Sequence, residues 1–308
     1  MKVYRSIEDF PKLNSAVVTS GTFDGVHLGH KKILTSLVDK AQKTNSESVV
    51  ITFWPHPRTV LQPDQPTRLL TSLEEKIELI GESGPDHLIV LPFSRDFSNQ
   101  SSLEFIHQTL IGQIGTRYLI IGYDHRFGKN REGSFEFLKE NADHFGFEVE
   151  EIPREDIHNV TISSTNIRKS LQQGDLNEVL NLLGRPYFLT GSVVHGEKIG
   201  RKLGFPTANI QPDEPLKLIP CDGVYAVEAE WEGKKYPGMM NIGYRPTIDG
   251  LSHVIEAHLF DFNEKIYGDK LRIYFRYYLR PEKRFSSLEE LKSQLQMDRL
   301  SALDLLKS

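Results

Sequence analysis

Residues 16–43 read AVVTSGTFDGVHLGHKKILTSLVDKAQK, and the rest of the chain is interpreted outward from them. Residues 16–20 are a short, apolar, β-branched run with strand character. Residues 29–43 place apolar side chains at helical spacing. The turn between them carries Gly21, Gly25 and Gly29. Gly21 and Gly25 let the backbone turn tightly and approach a ligand without a Cβ in the way. Gly29 permits close packing where the helix begins. A helix N-terminus offers unpaired N–H groups and the positive end of a dipole, which suits a phosphate. His27 and His30 are three residues apart, so both can face that phosphate and stabilise charge growing on phosphorus. Phe23 and Asp24 complete the turn, and Asp24 is as readily a structural turn former as a nucleotide contact. The plainer alternative is that paired histidines cap the helix or line a core.

Further along, residues 48–53, 87–93, 117–123 and 148–153 read as short buried strands. Residues 73–82, 103–111 and 134–144 read as helices between them. Alternation of this kind predicts a parallel sheet covered on both faces. Residues 163–173 and 175–183 read as two helices broken at Gly174, with Gly184 as C-cap and Pro186 as a stop. A domain boundary is expected there. Beyond it the pattern changes. Residues 187–195, 224–231, 236–242, 253–262 and 271–278 read as strands separated by turns, with no long helix among them, which predicts antiparallel pairing into a barrel or sandwich. An amphipathic helix over 287–307 is expected to pack on it.

The chain has 308 residues, a length that suits about two domains. Its formal net charge of −5 gives no global basic field, so no nucleic-acid partner is expected. The opening residues lack the apolar core of a signal peptide. No apolar run approaches the ~20 residues that span a bilayer, so no membrane association is expected. Cys221 is the only cysteine, which excludes an intrachain disulfide and suits a reducing, cytoplasmic setting. A monomer or weak homo-oligomer is expected.

Three more stretches of the first half carry chemistry. I162-SSTNIR-168 opens a helix with the hydroxyls of Ser163, Ser164 and Thr165 and places Arg168 one turn on. Hydroxyls, open amides and a guanidinium suit a triphosphate tail leaving as pyrophosphate; taken alone, ordinary capping by Ser163 or Ser164 with a surface Arg168 is an equal alternative. T52-FWPHPR-58, with His56, Pro57 and Arg58, and G122-YDHRFGKNREG-133, with Asp124, Arg126 and Phe127, both follow strands. Ligands bind at such strand ends in open α/β sheets. Together with the first turn, these segments resemble the HxGH nucleotidyltransferase superfamily and, within it, the flavin adenylyltransferase branch. His125 stands where that pattern usually has phenylalanine, and Trp54 where it is commonly acidic. The resemblance implies that Gly21, Phe23, Asp24, Gly25, Gly29, Ser163, Ser164 and Thr165 bind nucleotide. It implies that His27, His30 and Arg168 are catalytic, and that His56, Pro57, Arg58, Asp124, Arg126 and Phe127 bind flavin.

The second half carries G196-EKIGRKLGFPTANI-210, rich in Gly and Lys but not a Walker A motif. Thr207 and Asn209 alternate, so on an extended segment they point the same way and can hold Mg²⁺ and a phosphate oxygen. Glu256 sits inside an apolar strand pattern, where a carboxylate can accept the proton of an attacking alcohol. A buried glutamate paired with Arg or Lys is an equal alternative. With G223-VYAV-227, N241-IGYRPTI-248 and E256-AHLFDF-262, these segments resemble riboflavin kinase. The resemblance implies nucleotide binding by Gly196, Lys198, Gly200, Gly204, Pro206, Thr207 and Asn209, with Mg²⁺ at Thr207 and Asn209. It also implies Glu256 as general base and Arg245 near the flavin.

The two halves in this order resemble the bacterial bifunctional riboflavin kinase/FAD synthetases. That implies an α/β plus all-β chain. A Rossmann-like parallel-sheet nucleotidyltransferase domain, 1–184, precedes a six-stranded antiparallel β-barrel with a C-terminal helix, 185–308. Riboflavin, FMN, FAD and ATP are the implied small-molecule partners, and Mg²⁺ accompanies ATP.

Overall fold

A computed structural model of the chain describes residues 1–123, 125–153, 162–196, 200, 203–247 and 250–307. The first half forms a six-stranded sheet. Its strands are β1 (Lys2–Tyr4), β2 (Ala16–Ser20), β3 (Glu47–Trp54), β4 (His87–Pro92), β5 (Thr116–Gly122) and β6 (Glu148–Ile152). The order is β1-β4-β3-β2-β5-β6, and every pairing is parallel. All five residues of β2 are buried, as expected for a strand covered on both faces. After β2 the chain builds β3 and β4 to one side and later adds β5 and β6 on the other. The reversal falls between β2 and β5, where open α/β sheets bind ligands.

The helices are α1 (Leu28–Thr44), α2 (Pro57–Leu61), α3 (Leu73–Gly81), α4 (Arg95–Ser98), α5 (Ser102–Glu104), α6 (Phe135–Phe145), α7 (Ser164–Gln173), α8 (Leu176–Leu183) and α9 (Leu288–Lys307). Local chemistry fixes their ends. Ser72 and Glu75 form a reciprocal capping box at the start of α3. Asp175 caps α8, and Gly184 closes it in the left-handed conformation at φ 68°. The helix expected over 103–111 is found as α5 followed by a π-helix, Phe105–Ile114. Its apolar spacing did not distinguish the two windings. β1, with three residues, was too short to be seen in the sequence.

The second half is a closed antiparallel barrel. Its strands are β7 (Phe188–Val194), β8 (Ala208–Pro212), β9 (Gly223–Trp231), β10 (Lys234–Thr247), β11 (Gly250–Leu259) and β12 (Lys270–Arg280), in the order β10-β11-β8-β7-β12-β9. Periodicity alone predicts five of these. β8 is short and partly polar, and reads only as an extended segment. Helix α9 covers the barrel by packing Leu295, Ala302, Leu303 and Leu306 against Phe205, Ala226, Met239 and Phe260. Leu288 and Leu300 of the same helix are exposed. The Arg280 guanidinium grips the buried Asp298 of α9 with two hydrogen bonds, of 2.9 and 2.7 Å.

Packing divides the chain into two compact units, Met1–Ser164 and Thr165–Ser308. Helices α7 and α8, expected from the sequence to close the first domain, group with the barrel. The Cys221 amide donates to the Leu171 carbonyl at 3.1 Å, and Gly174 lies against Cys221 and Tyr278.

Candidate active sites

The first site is built on the turn between β2 and α1. Phe23 (φ 47°) and Val26 (φ 39°) adopt left-handed backbone beside Gly25 (φ 85°). Such strain in non-glycine residues concentrates at ligand sites. A Cβ at Gly25 would meet Leu70 Cδ1 at 2.8 Å. The Asp24 carboxylate is buried. It accepts the amides of Leu70 and Thr71 at 3.0 and 3.2 Å and the Thr71 hydroxyl at 3.3 Å. Asp24 therefore braces the turn against the residues that lead into α3. Ser164 donates its hydroxyl to the Asp24 carbonyl at 2.8 Å, which brings the start of the 162–168 motif to the same turn. Thr165 and Arg168 continue that helix beyond the division between the units.

His27 is the N-cap of α1, and its Nδ1 accepts the His30 amide at 3.2 Å. An accepting Nδ1 puts the proton of the neutral ring on Nε2, as a donor. The two imidazoles stack with centroids 3.6 Å apart, and the Phe23 ring meets His30 edge-on at 5.1 Å. Burial, then His27 and Lys76, hold His30 well below the usual imidazole range. It is therefore a neutral ring. Among the described residues its buried Nδ1 has no hydrogen-bond partner, and a buried polar atom of this kind is normally satisfied by a ligand or water. Capping and ligand binding, alternatives in the sequence, are here compatible roles of one pair.

Around this turn, His56 caps α2 by accepting the Arg58 amide at 3.1 Å, with Pro57 as the first helical residue. Arg58 is exposed. His125 Nε2 lies 3.4 Å from Ser20 Oγ at the end of β2. The residue that departs from the family pattern thus stands at the end of β2, next to the Gly21–His30 turn. Phe127 packs on Phe105, with centroids 5.7 Å apart, and Arg126 pairs with Glu136 at 3.4 Å. Asp124 lies outside the described residues.

The second site is built on strand register. Glu256 of β11 pairs with Asn209 of β8 on one side and Asn241 of β10 on the other. Directly opposed residues project to the same face, so Asn209, Glu256 and Asn241 form a row across three strands. Asn241 was not singled out from the sequence, because nothing but this register brings it to Glu256. Glu256 is 4 % exposed. Its carboxylate hydrogen-bonds the Arg245 guanidinium, whose side chain is 34 % exposed. The carboxylate is therefore covered by an arginine that reaches the surface, and is not sealed in an apolar core. Both readings of Glu256, a paired carboxylate and a proton acceptor at a ligand site, remain chemically consistent.

Glycine shapes the approach to this row. A Cβ at Gly196 would overlap the Asn209 amide, and one at Gly200 would overlap the Phe205 carbonyl, 3.5 Å from Thr207 Cγ2. The backbone at these two positions thus closes onto Thr207 and Asn209. Gly204 takes a left-handed φ of 87°, which glycine adopts without strain. The Pro206 carbonyl accepts from His258 Nδ1 at 2.7 Å, and burial lowers the basicity of that imidazole. A cleft of about 550 Å³ adjoins, lined by Gly204, Phe205, Pro206, His258, Asp261 and Arg299. Lys198 lies outside the described residues.

A strained glycine turn with stacked histidines at the switch point of a parallel sheet, and a glycine loop closing onto a Thr/Asn/Glu constellation on a small barrel, define a class. It is a two-module phosphoryl- and nucleotidyl-transferring enzyme. The comparisons give the particular family. A FAD synthetase family model matches residues 9–166, and a riboflavin kinase family model matches residues 183–306. The bifunctional riboflavin kinase/FMN adenylyltransferase of Escherichia coli (strain K12) is 38% identical over 307 residues, 98% of this chain and 97% of that one. Its counterparts from Haemophilus influenzae and Bacillus subtilis (strain 168) are 40% and 38% identical over 287 and 294 residues. They cover 93% and 94% of this chain and 92% of each relative. A crystal structure from Streptococcus pneumoniae, described as a macrolide-efflux protein, superposes with a TM-score of 0.87 at 32% identity over 98% of each chain. Among the described residues no helix is long and apolar enough to cross a membrane. The chain belongs to the bifunctional riboflavin kinase/FMN adenylyltransferase family.

Proposed function

We propose that the barrel phosphorylates riboflavin to FMN with ATP, and that the parallel-sheet unit then transfers the adenylyl group of a second ATP to FMN, giving FAD and pyrophosphate. The observation that carries this reading is the presence of two unlike phosphate-handling sites in one chain. One is the strained Gly21–His30 turn with its stacked imidazoles, and the other is the row of Asn209, Glu256 and Asn241.

In the kinase step the Glu256 carboxylate takes the proton of the ribityl hydroxyl as its oxygen attacks the γ-phosphorus, and ADP leaves. Arg245, now paired with Glu256, moves onto the incoming substrate. Thr207 and Asn209 offer a hydroxyl and an amide oxygen, hard donors suited to Mg²⁺, and the backbone at Gly196, Gly200 and Gly204 holds the nucleotide with Lys198 and Pro206. When bound, Mg²⁺ neutralises phosphate charge.

In the adenylyl step an FMN phosphate oxygen attacks the α-phosphorus and pyrophosphate departs, with no protein nucleophile. His27, through Nε2–H, and His30 donate to the transferring phosphate. Ser163, Ser164, Thr165 and Arg168 receive the leaving pyrophosphate. Gly21, Phe23, Asp24, Gly25 and Gly29 shape the nucleotide pocket, Asp24 through the turn it braces. His56, Pro57, Arg58, Asp124, Arg126 and Phe127 hold the flavin. We place the enzyme in the cytoplasm, as a monomer or weak homo-oligomer.

Incubating the pure protein with riboflavin, ATP and Mg²⁺ and separating the flavins tests the reading. FMN followed by FAD is expected. FMN alone would remove the adenylyl step from it, and neither product would remove both.

A further inference from the structure

Lys76 lies on α3, the residue after the Ser72–Glu75 capping box. The pattern LEEKIELIGE marks it as an ordinary polar position of an amphipathic helix. In the fold it is only 1 % exposed. Among the described residues its ammonium has neither a hydrogen bond nor an ion-pair partner; it lies 5.3 Å from the centroid of the Trp54 ring. Asp24, a carboxylate that acts on it electrostatically, is already engaged by the amides of Leu70 and Thr71 and by the Thr71 hydroxyl.

A buried charge without a contacting counter-ion is costly, and proteins retain such groups chiefly at functional sites. Its surroundings say which site. Trp54 ends β3 and leads directly into His56–Arg58. Asp24 belongs to the Gly21–His30 turn. His30 feels the Lys76 charge directly. That imidazole is neutral, so His30 itself brings no full positive charge to the turn.

We infer that Lys76 is a positioning residue of the adenylyl-transfer site, a fixed cation behind the phosphate-binding turn that acts through His30 and favours the charge developing on the transferring phosphate. This rests on the reading of the first unit as the adenylyl-transfer module. The ligand class it serves is the polyphosphate of a nucleotide. It requires no covalent step: Lys76 gains and loses no bond.

The test uses the full chain as wild type, Lys76→Met and Lys76→Arg. Each is assayed for FMN plus Mg-ATP to FAD, for riboflavin phosphorylation, and for thermal unfolding. The Met variant is expected to lose about 10²-fold in kcat for FAD formation, with KM for ATP within about threefold, as for loss of one preorganised charge. The Arg variant should regain most of that loss, and riboflavin phosphorylation should be unchanged in both. The Met variant should also unfold no earlier than wild type, because an uncompensated buried charge has been removed. A lysine that merely supported the fold would give the opposite signature, with early unfolding and low activity in both variants, and that result overturns the inference. So does a Met variant with wild-type kcat. Absence of FAD formation in the wild type would instead sink the reading of the module itself.

Discussion

The two nitrogens of His27 divide its work. Nδ1 accepts the His30 amide, which in the neutral ring places the proton on Nε2 as a donor, the role proposed for it toward phosphate. His27→Ala removes both the cap and the donor. FAD formation from supplied FMN is expected to fall at least about 10²-fold, while riboflavin phosphorylation in the same preparation stays intact. Chromatography of the flavin products would show FMN accumulating. Equal loss of both steps in a folded protein would contradict a two-site enzyme. Lys76 makes a pH-dependent prediction. Burial lowers its ammonium to about 8, against the pull of Asp24. Adenylyl transfer should therefore decline as pH rises through about 8, and the Lys76→Met variant should lack that alkaline limb. Stability should move the other way. Between about 8 and the ordinary lysine value the unfolded chain binds more protons than the folded one, so this group makes folding more favourable as pH rises across that window, by up to about 3 kcal/mol. Comparing the unfolding of wild type and Lys76→Met at neutral and alkaline pH reads the difference.

At the scale of elements, strand register and helix attachment decide what the barrel can do. β11 lies between β8 and β10, and that alone sets Glu256 between Asn209 and Asn241. Glu256→Gln keeps the volume and a hydrogen-bonding group but removes the carboxylate proposed as the base. Phosphorylation of riboflavin is expected to drop by about 10²-fold or more, with FMN still converted to FAD; rates on each substrate separately measure this. Helix α9 is tied down by the bidentate Arg280–Asp298 pair, in which Asp298 is buried. Asp298→Ala strands that guanidinium and should cost about 3 kcal/mol. The kinase step should then be lost at a lower temperature than in wild type, with the adenylyl step less affected. The same scale shows where sequence patterns run out. The 105–114 run is apolar at helical spacing, and periodicity cannot tell its π winding from an α one. β8, Ala208–Pro212, has too little apolar alternation to register as a strand before its neighbours are known.

For the whole molecule, the two proposed steps draw on different key residues, His27 and Glu256, and FMN is the product of one and the substrate of the other. An equimolar mixture of the His27→Ala and Glu256→Gln proteins should therefore convert riboflavin to FAD, after a lag in which FMN builds up and exchanges through solution. Neither variant alone should do so. A mixture that yields FMN but no FAD would mean that FMN never leaves the chain on which it is made.

The sequence by itself determined the two architectures and their order, and it pointed to most of the groups proposed to react. Strand–turn–helix alternation, glycines at tight turns and paired histidines are local, and their meaning survives without knowledge of what packs on them. It could not reveal that Lys76 is buried, that Asp24 is a brace, that Asn241 and His125 stand beside Glu256 and Ser20, or that α7 and α8 group with the barrel. Those facts depend on residues tens of positions apart meeting across a sheet or a helix face. Burial, charge balance and hydrogen-bond partners are set by such meetings, so only the tertiary structure decided them.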